Sequence, residues 1–459
     1  MSRIPLVLML AAAVAACSPD KIVGSGELPN GVNDPGATKT PQGALAAYRG
    51  ALVDLGSAFG GYTLPVAANG SFIATTALLS DEMQAGDIGA PVGTSSAAGQ
   101  VDARVLPEYV DPATEPPLPY RATYSALQVV RGQARQALGL LADYGPDGST
   151  ALRGHLYATL GYSEVMLAEL FCSGIPLTTV DYDGNYTLRP GSSTDEVLDD
   201  AVALFDSALA LSADSERFVN LARVGRGRAL LDLGRFADAA QAVAEVPDGF
   251  SYAVSYFGAD QYPSSNFENF AYVPPGLGWS TTTVDREGGN GLDYMTSDDP
   301  RTASEAIGTN LYGSTLYHPD KYAGDGSSPI VLGDWVEARL IEAEAALQAG
   351  DVTTWLAKLN HLRETAIVPA LADTTDPGTA DARVDLTFRE RAFWLFLTGH
   401  RQGDLRRLVR QYGRQPGAVY PTGPYQGVTG AYGTDVTAPI PASERAFNPE
   451  FTGCKSRGA

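Results

Sequence analysis

Cysteine is scarce in this chain. Three occur in 459 residues, which excludes the disulfide-dense class of small secreted scaffolds. Histidine is nearly as rare, and His155, His318, His361 and His400 form no metal-ligand spacing. Basic side chains are outnumbered, with 32 Lys and Arg against 53 Asp and Glu and a formal net charge of −21. Such a surface repels nucleic acid and anionic lipid, so its partners are expected to be neutral molecules or proteins. Enzyme motifs are missing too: no phosphate-cradling Gly-rich loop ending in Lys-Ser or Lys-Thr, no His-Glu-x-x-His and no Gly-x-Ser-x-Gly elbow. A glycosidase needs only two carboxylates at the right separation, so these absences leave that class open. Beyond residue 16 no run is long and apolar enough to span a bilayer.

The apolar run that does exist, Leu6 to Ala16, is well short of the ~20 residues a membrane helix needs. Arg3 precedes it, and it ends in Val14-Ala15-Ala16-Cys17, the order of charged region, apolar region and small-residue cleavage site of a bacterial lipoprotein signal. Residues 1–16 are therefore expected to be removed and Cys17 to carry the lipid, anchoring the protein to a membrane surface while the body stays in water. Ser18 follows the cysteine, with no aspartate to signal inner-membrane retention, so the outer membrane is the expected location, and these residues leave open which leaflet the protein faces. Removing 16 of 459 residues leaves 443, enough for a large core. The two remaining cysteines, Cys172 and Cys454, would then face an oxidising compartment; their even number favours a bridge between them, the alternative being two buried thiols.

Residues 17–40 are rich in Gly, Pro, Asn and Asp and read as a flexible tether. From residue 41 to 459 the chain reads as one domain: a helical scaffold over 41–247 and 331–410, a loop-rich lobe over 248–330 and a tail over 411–459. Apolar residues at three and four spacing predict amphipathic helices over Gln42–Ser57, Tyr120–Tyr144, Leu152–Phe171 and Thr194–Leu211. Two stretches, Gly225–Ala240 and Ala338–Asp351, each run helix, glycine at the turn, second helix, with small residues on the packing faces. This resembles tetratricopeptide hairpins, which stack into a scaffold with a continuous core. The segment between them lacks helical period yet is rich in aromatics, which argues for an ordered lobe carrying function rather than a disordered linker.

Several motifs occur in a particular order: Leu79-Ser80-Asp81-Glu82-Met83, Gly174-Ile175-Pro176-Leu177, Asp299-Pro300-Arg301, then Trp335 to Ala345 with Leu359-Asn360-His361-Leu362-Arg363. Arg389-Glu390-Arg391-Ala392-Phe393-Trp394, Gly399-His400-Arg401-Gln402-Gly403-Asp404-Leu405-Arg406-Arg407, and Pro439-Ile440-Pro441 with Glu444 and Asn448-Pro449 complete the series. With the lipoprotein signal, they resemble the RagB/SusD family of outer-membrane nutrient-binding lipoproteins. The resemblance implies a mostly α-helical, SusD-like body of tetratricopeptide-like hairpins with a loop-rich binding face. It also implies a non-enzymatic lid on a TonB-dependent, SusC-like β-barrel transporter, capturing oligosaccharides, or in some members peptides, for import. A protein-binding tetratricopeptide scaffold and a surface glycoside hydrolase are the competing readings.

Neutral sugars pack their C–H faces on flat aromatic rings while nearby polar groups bond the hydroxyls. Trp279, Tyr272 and Tyr294, with Asn290, Asp293 and Arg286, are the candidates that the lobe supplies. Asp81 and Glu82 read as a helix end or a structural hydrogen bond, and the Gly399 to Arg410 stretch as a buried or interfacial ion-pair network. Asp181 to Thr187 places oxygens at alternate positions as a calcium loop does, but glycine falls fourth and Ser192 stands where the twelfth-position glutamate belongs. An acidic turn accounts for it better; no cofactor is expected, and calcium is the one metal the pattern allows.

Overall fold

The computed structural model describes residues 35–61, 71–85, 97–256, 281–309, 315–323, 327–425 and 430–459. The lipoprotein signal, Cys17 and most of the tether lie outside them, as do Tyr272 and Trp279. No helix among the described residues is long and apolar enough to cross a membrane.

The body is a series of helices, each packed on the next: α1 (Pro41–Gly60), then α4 (Pro119–Tyr144), α5 (Thr150–Leu170), α6 (Thr194–Leu211), α7 (Glu216–Asp232), α8 (Phe236–Val243), α9 (Trp335–Gln348) and α10 (Val352–Thr365). Two short helices, α2 (Phe72–Leu79) and α3 (Ala97–Asp102), lie between α1 and α4 in the chain. Helix starts follow local chemistry. Thr40 caps α1, Asp334 caps α9 and Asp351 caps α10, each side chain accepting a backbone N–H of the first turn. At α6, Ser193 and Glu196 satisfy each other's backbone N–H groups in a capping box.

The two similar sequence units become the hairpins α7–α8 and α9–α10, and α8 packs against α9, so the repeats are neighbours in space. Both hairpins turn on a glycine with left-handed backbone, Gly234 (φ 72°) and Gly350 (φ 77°), where a side chain would be strained. From Gly154 onward every residue of α5 except Tyr157 is buried, and the core runs from its Tyr162 and Val165 through Phe205 of α6 to Leu230 of α7 and Ile341 of α9.

The lobe between the hairpins is clamped at its base. Strand β6 (Ser251–Val254) pairs antiparallel with β10 (Ile330–Asp334), joining the start of the excursion to its end. Within it, β8 (Ser304–Thr309) and β9 (Thr315–Pro319) form a hairpin, and β7 (Thr281–Thr283) pairs with β1 (Met83–Ala85), which follows α2. Two small antiparallel pairs lie between α5 and α6: β2 (Ile175–Pro176) with β5 (Gly191–Ser192), and β3 (Thr179–Val180) with β4 (Tyr186–Thr187).

The segment read as a partial calcium loop is the turn between β3 and β4. There the Asp181 carboxylate accepts the backbone N–H groups of Asp183 and Asn185 and the Asn185 side-chain amide, and these bonds hold it below its usual range. Its oxygens are engaged by donors, as an acidic turn requires.

After α11 (Ala380–Trp394) comes α12 (Arg401–Arg410), in which all residues from Arg401 to Leu408 are buried although most are polar. Short helices α13 (Pro416–Val419) and α14 (Ala442–Phe447) follow in the tail. The tail is fastened to the body by the Cys172–Cys454 disulfide, with Cα atoms 5.8 Å apart, and by reciprocal bonds from Ser173 N to Ser456 O and from Lys455 N to Ser173 O.

Candidate binding face

The lobe is built downward from α2 and α12. Asp81, just after α2, takes two hydrogen bonds from Arg401, at 2.6 and 2.9 Å, and a third from the backbone N–H of Leu292 in the lobe. Glu82, beside it and buried, accepts the N–H of Leu397 at 2.8 Å; burial pushes its carboxyl up to about 8. Asp299-Pro300-Arg301 forms a second anchor. Arg301 grips Asp299 and reaches Glu390 of α11 at 2.7 Å, while its guanidinium lies over the rings of Phe393 and Trp394.

The buried His400 stretch is the ion-pair network that its composition indicated. Arg228 of α7 holds both oxygens of Glu169 and lies 2.9 Å from His400 Nε2. Burial lowers the His400 pKa, favouring the neutral imidazole. Asp404 accepts bonds from Arg391 and Arg407, and is held far below the usual carboxylate range by them. Each charge is buried beside its counterpart, so this is framework.

On this base sits the loop that follows β7. The Asp285 carboxylate closes it by accepting the N–H groups of Met295 and Thr296 and the Thr296 hydroxyl. Four of the predicted site residues lie here, with different roles. Arg286 is exposed, and its Nη2 lies 3.2 Å from Asp293 Oδ2. The other Asp293 oxygen is bonded by Arg389 of α11, whose guanidinium covers Phe393 at 4.4 Å; the Arg389 bond holds Asp293 below its ordinary pKa. Asn290 donates to the Tyr420 carbonyl at 2.7 Å and so ties the loop to the tail. Tyr294 is 1 % exposed, its ring set between Phe393 and Phe396 with centroids 5.4 and 4.8 Å away, so it has no face left for a sugar. The structure thus brings Arg286, Asp293 and Arg389 together at the surface, and turns Asn290 and Tyr294 inward as supports. Tyr272 and Trp279 lie outside the described residues; the chain re-emerges from their segment at Thr281, paired with Ala85.

Sequence reasoning missed the pair beneath this loop. Asp102 accepts the N–H of Ala85 and the hydroxyl of Tyr425, Glu287 accepts the hydroxyl of Tyr432, and burial followed by the nearby Asp102 charge pushes Glu287 far up. Asp102 is 1 % exposed and Glu287 4 %, so no glycosidic bond can reach them, and these two do not supply a hydrolase centre. A surface groove of about 880 Å³ also runs between α8 and α9, lined by Phe236, Ala240, Ala345 and Ala349, with Lys358 and Glu342 paired at 2.6 Å. Its walls are those that a protein-binding hairpin repeat would use.

Residues 252–451 match the SusD family model. No curated protein matches the chain. Among solved structures, a SusD superfamily protein from Bacteroides vulgatus ATCC 8482 superposes with a TM-score of 0.65 at 17% identity, over 92% of this chain and 100% of that one. A SusD superfamily protein from Parabacteroides distasonis ATCC 8503 gives 0.66 at 14% identity, over 90% and 99%. A laminarin-binding SusD-like protein gives 0.63 at 14%, over 91% and 99%. At these identities the superpositions establish the fold, a mostly helical SusD-like body. The family match covers the lobe, α9 to α12 and most of the tail, so over residues 252–451 the chain is SusD-like in sequence as well as in fold.

Proposed function

We propose that this protein is a lipid-anchored outer-membrane component, exposed at the cell surface, that binds an oligosaccharide and hands it unchanged to a TonB-dependent, SusC-like barrel transporter. The observation that carries this reading is the fold shared, over 91% of the chain, with a laminarin-binding SusD-like protein. The anchoring rests on Cys17 and the apolar run before it, and transport on the SusD family match over residues 252–451. The binding surface is assigned to Tyr272 and Trp279, whose rings suit the apolar faces of a sugar, together with Arg286 and Asp293, whose charged groups suit its hydroxyls. The domain division into scaffold, lobe and tail is kept as part of this proposal.

The groove between α8 and α9 favours a second reading, an assembly scaffold that binds only proteins. One experiment separates the two. The native outer membrane is gently solubilised, the protein is recovered through a C-terminal tag, and its companions are identified by mass spectrometry. A stoichiometric TonB-dependent barrel supports import; assembly factors without a transporter, across several detergents, support the scaffold. Trp279→Ala with Tyr272→Ala then tests the assigned surface: oligosaccharide binding is expected to fall by about tenfold or more, with the unfolding midpoint unchanged. Unchanged binding would remove these rings from the site.

A further inference from the structure

Away from the lobe face, α1, α5, α7 and β6 enclose a cleft of about 290 Å³. This is just under the range of pockets that take drug-sized ligands, and suits one ring rather than a chain of them. Its walls include Tyr48, His155, Arg217, Phe218, Tyr252 and Ser255, with aliphatic side chains of α1. At its base three side chains form a hydrogen-bonded row. The Tyr48 hydroxyl lies 2.8 Å from His155 Nδ1, and the Tyr252 hydroxyl lies 2.7 Å from His155 Nε2. Phe218 stacks on the imidazole at 4.1 Å.

His155 is 2 % exposed, and burial, helped by the Arg217 charge, pushes its pKa down to about 3. A neutral imidazole has one N–H and one bare nitrogen, so it donates to one tyrosine and accepts from the other. The tyrosine that accepts keeps its own hydroxyl proton for a further partner. The row therefore holds one O–H donor in reserve, whichever tautomer is present.

Among the described residues, the charge lining this cleft is of one sign. Arg217 lies over the Tyr252 ring at 4.6 Å and makes no hydrogen bond or ion pair with any described residue, and no described Asp or Glu lines the walls. Arg49, next to Tyr48 on α1 and outside the cleft's lining, adds a second positive charge that acts on the Tyr48 hydroxyl. In a chain with 53 acidic residues, a guanidinium in the cleft wall with no carboxylate partner among the described residues calls for an anion from outside. Three hydroxyl-bearing walls, Tyr48, Tyr252 and Ser255, suit a polyhydroxylated ring better than a plain aromatic acid.

We propose that this cleft is a second ligand site, separate from the lobe face, and that it binds a single sugar ring bearing a carboxylate, of the hexuronic-acid class. Arg217 takes the carboxylate, the tyrosine row and Ser255 take ring hydroxyls, and the rings of Phe218 and Tyr252 form the apolar wall.

The test is calorimetric titration of the mature chain with glucuronate, glucose and phenylacetate. Glucuronate is expected to bind, glucose to show no measurable heat, and phenylacetate to bind far more weakly. Arg217 is exposed, so Arg217→Gln leaves folding intact and should weaken glucuronate by about tenfold or more, the worth of a hydrogen bond to a charged group. The proposal is overturned by no glucuronate binding, by equal binding of glucose or phenylacetate, or by an unchanged affinity in Arg217→Gln. Trp279→Ala should leave the glucuronate titration unaltered, so failure here and failure of oligosaccharide capture at the lobe are read separately.

Discussion

Arg401 holds Asp81 through two hydrogen bonds, 2.6 and 2.9 Å long, across 320 positions of sequence, and both side chains are buried. The same carboxylate accepts the N–H of Leu292, so a single buried ion pair joins α2, α12 and the base of the lobe. Removing one partner strands the other charge in a medium that solvates it poorly. Asp81→Asn is accordingly expected to destabilise the protein by about 3–5 kcal/mol in denaturant unfolding, the usual result of breaking a buried pair. A loss under about 1 kcal/mol, the scale of an exposed pair, would mean that the network rearranges to satisfy Arg401.

Glu82 carries the opposite risk, because its buried carboxyl makes no ion pair among the described residues and Arg401 and Lys321 offset its burial only in part. Burial raises its pKa from 4.5 to about 8, only partly opposed by the Leu397 N–H. Between those values the folded state binds more protons than the unfolded one, so this group makes stability fall as pH rises from about 4.5 to about 8, and costs nothing below that window. Glu82→Gln keeps an oxygen for Leu397 and cannot ionise. The variant should match the wild type near pH 5 and exceed it at pH 8, measured as unfolding midpoints at the two values. Some slope will persist, since burial also pushes Asp334 and Glu164 up to about 7. Equal midpoints at pH 8 would show that Glu82 is solvated on folding.

Much of the scaffold was legible because it is built from local signals. The 3.6-residue period marked Thr194–Leu211 to the residue, and the glycines at 234 and 350 marked the turns of two hairpins. The basic run after Gly399 read as a buried network because an acidic chain offers it partners nearby, and Asp81, Asp232 and Glu344 are those partners. The site was far less legible. An aromatic in a loop carries no signal of which way it faces, and Tyr294 faces Phe393 and Phe396. The Tyr48–His155–Tyr252 row joins α1, α5 and β6, and no spacing within one element announces it. Asp102 and Glu287 meet for the same non-local reason.

The Cys172–Cys454 bridge closes 282 positions of sequence and lies where the tail is bonded to the start of the β2–β5 pair through Ser173, Lys455 and Ser456. A cross-link over so long a loop acts mainly by restricting the unfolded chain. Cys454→Ser, or reduction, should lower stability by about 2–4 kcal/mol. Hydrogen exchange should locate the change, with protection at Lys455 and Ser456 lost first while α6 and α7 keep theirs. An unfolding midpoint indifferent to reductant would show that the tail's own hydrogen bonds suffice.

Phe205 of α6 fills the space between α5 and α7, and it does so against two glycines. A Cβ at Gly161 would fall 2.7 Å from the ring, and one at Gly225 would also strike it. Both glycines are helical, where alanine is ordinarily preferred by about 1 kcal/mol, so propensity and packing predict opposite signs. Packing should win, because the ring is wholly buried and has nowhere to move. Gly225→Ala is expected to destabilise by about 1–3 kcal/mol, the range for overfilled cores. The decisive measurement is the same substitution in a Phe205→Leu background. There the contact with the Phe205 ring is removed and only Tyr162, 2.9 Å from the added Cβ, stays close, so Gly225→Ala should cost clearly less, giving a coupling of about 1–3 kcal/mol in the double-mutant cycle. If the two effects simply add, close approach of α5 and α7 on Phe205 is not why glycine stands at these positions.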